Sequence, residues 1–107
     1  MGFSRGGEFD DVLNDGYVST RTNIGNSSEV EAKVGASALD GRETLTITNV
    51  GSKTVYFGPS GFSSSDTTDG DPLFKKQSVT IQVGPNVGVF LRCDGSDDTD
   101  VVIQEWA

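Results

Sequence analysis

The 107-residue chain contains no histidine. Histidine is the usual general base and a common metal ligand, and the Ser-His and Cys-His nucleophile pairs depend on it. A pair of carboxylates can still catalyse glycoside hydrolysis, but the aspartates lie in polar turns that offer no burial to tune an acid catalyst. We therefore expect no catalytic residue and no enzymatic activity.

Cysteine is also scarce, because Cys93 is the only one. A single thiol cannot form an internal disulfide, and it cannot supply the ligand cluster of a structural zinc site. Cys93 falls on the apolar face of a predicted strand, so we expect an inert thiol in the core.

Positive charge and long apolar runs are lacking as well. Eight Lys and Arg residues stand against 16 Asp and Glu residues, which gives a net charge of -8. Nucleic-acid binding needs clustered cations, so nucleic acid is not an expected partner. The chain has no run of about 18 apolar residues that would predict a membrane span, and residues 1–11 lack the apolar core of a signal peptide. We expect synthesis in the cytoplasm and no membrane partner.

What the sequence does contain is a period of two. Alternating or β-branched segments occur at residues 17–24, 28–34, 44–49, 54–57, 78–83, 87–93 and 101–106. Turn-forming residues separate them, and no segment has a helical period. The pattern predicts one all-β domain over residues 17–107, an antiparallel β-sandwich or a small barrel, with an extended N-terminal arm.

The stretch RETLTITNVGSKTVYFGPSG, residues 42–61, has the clearest alternation. Two short strands flank Asn49-Val50-Gly51-Ser52, which predicts a β-hairpin. The inward faces of all the strands predict a core. Its members are Val30, Leu45, Ile47, Val55, Phe57, Val79, Ile81, Val83, Val89, Leu91, Val101 and Ile103. Val87 and Cys93 lie on the same face of the predicted strand at residues 87–93.

Residues 1–16 are rich in glycine and charge but contain four apolar side chains, Phe3, Phe9, Val12 and Leu13. These side chains are too apolar for a terminal segment that stays fully solvated. Two readings stay open: an arm that orders by docking on a neighbouring protein, or a frayed terminus.

Two acidic loops, residues 58–72 and 94–100, are candidates for contact with a ligand. Calcium favours flexible acidic loops, but DGSDDTD does not have the spacing of an EF-hand. We expect solvated turns, with no metal and no cofactor.

Three aromatic residues are candidates for contact with a partner: Tyr56, Phe62 and Trp106. Tyr56 and Trp106, together with Phe90, are out of phase with the core faces of their strands, which predicts an apolar patch on an outer surface. For Trp106 the alternatives are an exposed anchor or a side chain that lies against the sheet or the arm.

The segments RETLTITNVGSKTVYFGPSGF, GDPLFKKQSVTIQVGPNVGVFL and DVVIQEW together resemble small virion proteins of tailed bacteriophages. The resemblance covers residues 42–106, about three fifths of the chain. It departs from the pattern at Phe62, where a smaller aliphatic residue is expected, and in an expanded acidic loop at 63–71.

The resemblance implies a β-sandwich or jelly-roll-like unit with a structural role and no catalytic residues. The implied function is decoration of the phage head: the protein would bind the shell of the major capsid protein, form a homo-oligomer with a trimer favoured, and be located in the virion. One alternative is a tail, neck or fibre component, for which binding to the host is one open role. Another is a small glycan-binding module that uses Trp106 or Tyr56 as a stacking platform beside a calcium-binding loop.

Overall fold

A computed structural model describes residues 16–62, 70–94 and 96–107, which form eight β-strands. The strands are β1 Tyr17–Ile24, β2 Val30–Glu31, β3 Thr44–Asn49, β4 Val55–Gly58, β5 Asp71–Leu73, β6 Ser78–Gln82, β7 Phe90–Cys93 and β8 Thr99–Trp106. None of these residues is helical, so this part of the chain has no helix that could span a membrane.

The strands form two four-stranded sheets. The larger sheet has the order β1-β8-β3-β6, and the smaller sheet has the order β2-β7-β4-β5. Every pair of neighbours is antiparallel. Two such sheets with this order are the arrangement of a jelly roll. The predicted antiparallel β-sandwich is thus confirmed, and the molecule is not a closed barrel.

The core lies between the two sheets and contains every member predicted for it. Alternation identified these residues because each strand has one face toward the opposite sheet. Ile24, Ala32 and Leu73 join them and were missed. Cys93 is buried in the same core, as expected. Burial, helped by nearby aspartates, raises the pKa of this thiol to about 11.

The predicted hairpin at residues 42–61 is wrong. β3 pairs with β6 and β8 in the larger sheet, whereas β4 pairs with β5 and β7 in the smaller one. Residues 50–54 are therefore a corner that carries the chain from one sheet to the other. Both strands point their apolar side chains into the same core, so alternation alone cannot distinguish this corner from a hairpin.

Two predicted strands are shorter in the structure than in the prediction. Only Val30–Glu31 of residues 28–34 and only Phe90–Cys93 of residues 87–93 pair as strands. Val87 lies in the turn before β7 and is exposed, so its place in the predicted core face is wrong. The two segments keep one main-chain bond to each other, from the N–H of Ala32 to the carbonyl of Val89 at 2.7 Å, and both also bind a buried polar side chain, as described next.

Candidate binding surface

Arg42 and Glu105 form a buried ion pair at one end of the core. The distance from Arg42 Nη1 to Glu105 Oε2 is 2.9 Å, and the two residues are 2% and 0% exposed. A buried charge needs both a counter-charge and hydrogen bonds to offset the cost of leaving water. Both residues have these partners.

The guanidinium group of Arg42 donates to main-chain carbonyls of two segments. One is the carbonyl of Ala32, after β2, and the others are those of Val83, Gly84 and Val87, after β6. Together with the bond to Glu105 these contacts occupy all five N–H donors of the side chain. The ion pair therefore ties two loops to β8 at this end of the sandwich.

Glu105 accepts two further bonds from the loop between β2 and β3. The main-chain N–H groups of Val34 and Leu39 donate to its two carboxylate oxygens at 2.9 and 3.0 Å. This loop ends in a turn at Asp40-Gly41, where the N–H of Arg42 donates to the carbonyl of Leu39 and Gly41 has a φ of 72°. Glycine suits the third position of such a turn because it accepts a positive φ.

Asn49 has the same role at the opposite end of the core. Its side-chain amide donates to the carbonyls of Lys53 and Leu73, and its oxygen accepts from the N–H of Gly51 and the hydroxyl of Thr99. One buried side chain thus joins the corner to β5 and β8. All of its hydrogen-bonding capacity is used within the fold.

These buried polar groups are therefore structural, and none of them is left over to bind a substrate. The described residues contain no group of three or more His, Cys, Asp or Glu side chains that could hold a metal ion. A functional surface is better sought on the outside of the sheets.

The outer face of the larger sheet is almost uncharged. The registers bring together one outward-pointing row from each of its four strands. The rows are Tyr17, Ser19, Arg21 and Asn23 on β1; Trp106, Gln104, Val102 and Asp100 on β8; Thr44, Thr46 and Thr48 on β3; and Gln82, Thr80 and Ser78 on β6. Hydroxyl and amide groups dominate this surface.

Hydroxyl pairs link β3 and β6 across this face. The hydroxyls of Thr46 and Thr80 are 3.0 Å apart, and those of Thr48 and Ser78 are 2.7 Å apart. Such cross-strand pairs stabilise a sheet and hold its side chains in fixed positions. The result is a rigid array of hydrogen-bonding groups.

An aromatic pair lies at one end of the same face. The rings of Tyr17 and Trp106 have centroids 5.1 Å apart and are tilted by 31°. The side-chain amide of Gln104 donates to the Tyr17 hydroxyl at 2.7 Å. Trp106 is half-buried and Tyr17 is 47% exposed, so Trp106 lies partly against the sheet and keeps part of its surface open.

A small charged cluster lies at the other end of the face. Arg21 Nε is 3.2 Å from a carboxylate oxygen of Asp100, and Asn23 donates to both Asp100 and Asp98. The hydrogen bonds from Asn23 and Arg21 hold the pKa of the Asp100 carboxyl below its ordinary value. The only two charged side chains in the four rows are therefore paired with each other.

Tyr56 and Phe62 lie on the outside of the smaller sheet but are covered. They are 8% and 5% exposed. A Cβ atom added at Gly70 would lie 2.6 Å from the Phe62 ring and 3.3 Å from the Cβ of Tyr56, so the chain passes closely over both side chains. Tyr56, which was expected in an exposed apolar patch, is therefore buried, and so is the candidate contact residue Phe62.

Glu29 fixes the start of that loop. Its carboxylate accepts from the Ser60 hydroxyl at 2.8 Å and from the Gly61 N–H at 2.7 Å. These bonds, chiefly the one from Gly61, lower the pKa of the Glu29 carboxyl.

Of the other candidates for partner contact, the four on the predicted arm, Phe3, Phe9, Val12 and Leu13, lie outside the described residues. Two exposed apolar side chains were missed, Val50 at the corner after β3 and Phe74 after β5. The two segments that carry them are joined by a hydrogen bond from the N–H of Lys76 to the carbonyl of Asn49 at 2.7 Å.

Comparisons with known proteins bear on the fold alone. No protein-family model and no curated protein matches the chain. A structure search finds similarity to a crystal structure of protein NMB1881 from Neisseria meningitidis, with a TM-score of 0.50 and 10% sequence identity over 85% of this chain and 74% of that one. The chain is thus similar to that protein in its β-sandwich architecture.

Proposed function

We propose that this chain is a non-enzymatic virion protein that decorates the outer surface of a bacteriophage head. The observation that carries the docking part of the proposal is the outer face of the larger sheet. It is nearly uncharged, although the chain has a net charge of -8. A face without unpaired charge can be buried at little cost in desolvation.

The phage role is supported by the resemblance of residues 42–106 to small virion proteins, and the jelly-roll arrangement is compatible with it. Jelly rolls occur in viral capsid proteins, but also in lectins and cupins, so the fold alone does not select a function. The acidic surface outside this face would then point away from the shell and keep decorated particles apart.

Co-sedimentation tests the proposal. Purified protein is mixed with heads assembled from the capsid protein encoded with this chain, and the heads are pelleted. We expect the protein to pellet with the heads and to saturate at a fixed ratio to the capsid subunits. Binding to tails or host cells but not to heads would favour the tail, neck or fibre alternative and would contradict decoration.

Two variants locate the docking face. Thr80→Arg places a long cation on the exposed outer face of β6, and Asn86→Arg makes the same change in charge in an exposed turn. We expect Thr80→Arg to weaken binding at least tenfold and Asn86→Arg to leave it unchanged. A chain without residues 1–16 measures the contribution of the arm separately.

Glycan binding is a second candidate, favoured by the pair Tyr17 and Trp106. Aromatic rings beside uncharged amide and hydroxyl groups are suited to a neutral sugar, and Gln104 and Thr44 lie next to the rings in the register. Trp106 is the only tryptophan, so its fluorescence reports directly on this site. A saturable change in fluorescence on addition of a neutral oligosaccharide, absent from the Gln104→Ala variant, would support glycan binding. No fluorescence change across a panel of neutral oligosaccharides would exclude those sugars.

A further inference from the structure

The four sheet edges differ in how they are protected against pairing with another chain. Short strands, proline and lysine commonly protect a sheet edge against pairing with another chain. In the smaller sheet, β2 has two residues and β5 contains Pro72. In the larger sheet, β6 has five residues and follows Lys75 and Lys76.

The remaining edge, β1, has none of these features. It is eight residues long, with the sequence YVSTRTNI, and no described strand lies beyond it. Its one charged side chain, Arg21, is paired with Asp100 of β8. A long edge of β-branched and hydroxyl residues is suited to strand pairing.

The hydrogen bonds show which main-chain groups of β1 face outward. The N–H of Ala107 donates to the carbonyl of Gly16, one residue before the pair of Tyr17 and Trp106. Bonded and non-bonded pairs alternate along an antiparallel ladder, so the even-numbered residues of β1 bond to β8. The odd-numbered ones point their N–H and C=O groups to the open side; they are Tyr17, Ser19, Arg21 and Asn23.

The other neighbour of β8 leads to the same assignment. The N–H of Val50, just after β3, donates to the carbonyl of Asp100. The even-numbered residues of β8 therefore face β3, and its odd-numbered residues face β1. Since Thr20 pairs with Ile103, an odd-numbered residue, Thr20 bonds to β8.

We propose that β1 pairs antiparallel with β1 of a second copy of this chain, about a twofold axis at Thr20. In this register Tyr17 lies opposite Asn23 of the second copy and Ser19 lies opposite Arg21, with the same pairs repeated across the axis. All four outward-facing residues of each copy are then used, and each pair exchanges two main-chain hydrogen bonds.

We assign a second copy as the partner because β1 is complementary to itself in this register. If the second β1 is shifted by one bonded pair in either direction, main-chain bonds are lost at one end of the ladder. One of these two shifts places Arg21 opposite Arg21 of the second copy. The proposed register instead puts Thr20 opposite itself and Val18 opposite Thr22, which are favourable β-branched neighbours. The interface is isologous and joins the two larger sheets, which replaces the trimer expected from the resemblance.

A cysteine on the axis tests the register. Thr20 would form a non-hydrogen-bonded pair with itself, where Cα atoms are about 4.5 Å apart, within the usual span of a disulfide. We expect Thr20→Cys to form a covalent dimer under mild oxidation. Thr22→Cys is the control, because its opposite residue is Val18, and it should remain largely uncrosslinked. The native Cys93 is buried and does not compete.

A proline at the edge tests the hydrogen bonds. Ser19→Pro removes an N–H that points away from β8, so the internal ladder is kept. We expect the full chain to sediment as a dimer at high concentration, Ser19→Ala to do the same, and Ser19→Pro to be monomeric with the circular dichroism of the folded protein.

Three results would overturn the proposal: a monomeric or trimeric wild type, equal crosslinking of Thr20→Cys and Thr22→Cys, or a Ser19→Pro chain that is folded and still dimeric. If Ser19→Pro does not fold, the comparison of the two cysteine variants decides. The proposal does not rest on head decoration, since none of these measurements involves heads.

Discussion

At the scale of single residues, a few buried polar side chains hold the ends of the sandwich. Arg42 lies just before β3 and Asn49 is the last residue of β3, and each uses its hydrogen-bonding groups within the fold. A small core leaves the loops at its ends with main-chain groups that need partners. These two side chains provide them.

Part of this arrangement could be read from the sequence. Glu105 is in phase with Val101 and Ile103, which already places a carboxylate on the core face of β8. An in-phase glutamate signals a buried partner of opposite charge. Its identity depends on the path of the loops, because Arg42 is 63 residues away in sequence.

Glu105→Gln should destabilise the protein by about 3–5 kcal/mol, because it leaves the Arg42 cation buried without its counter-charge. Unfolding in urea, followed by fluorescence, measures this loss. Glu43→Gln, at an exposed carboxylate, is the control and should change stability by less than about 0.5 kcal/mol. Equal stability of the two variants would contradict a structural role for the ion pair.

Asn23→Ala should raise the pKa of Asp100 toward its ordinary value of 3.8, because the bond from Asn23 is the largest cause of the lowering. A lowered pKa stabilises the fold above pH 3.8, and this contribution is lost as the pH falls through the folded value. NMR titration of the Asp100 carboxyl carbon measures the change. Ser19→Ala, on the same strand, should leave the titration as in the wild type.

At the scale of strands and turns, the sequence predicts faces better than partners. Alternation placed Leu45 and Val55 in the core correctly because every strand of a sandwich has an inner face. It could not assign β3 and β4 to different sheets, since a hairpin and a corner bury the same side chains. The length of β2 was also unpredictable, because Val34 bonds to Glu105 and not to a strand.

The corner after β3 requires glycine at position 51. A Cβ atom there would overlap the Thr99 hydroxyl and lie 2.8 Å from the main-chain nitrogen of Asp100. We expect Gly51→Ala to cost about 1–3 kcal/mol in stability. Gly25→Ala is the matched control, since its Cβ would meet no atom within 4 Å. Thermal unfolding of both variants measures the difference, and equal melting temperatures would contradict the tight corner.

At the scale of the whole molecule, the buried core and the outer surfaces have different roles. The buried polar contacts are satisfied internally, whereas the outer face of the larger sheet and the edge of β1 have groups available to partners. The sequence predicted Trp106 as a contact residue but not the face around it. That face combines residues from four strands, and their neighbours become known only with the register.

The attachment to a phage head is the central proposal, and electron cryo-microscopy tests it most directly. Heads that lack this protein are imaged before and after its addition. The account predicts new density at symmetry-related positions on the outer shell, with the outer face of the larger sheet turned toward the capsid protein. An unchanged shell at saturating protein, or density confined to the neck or tail, would contradict it.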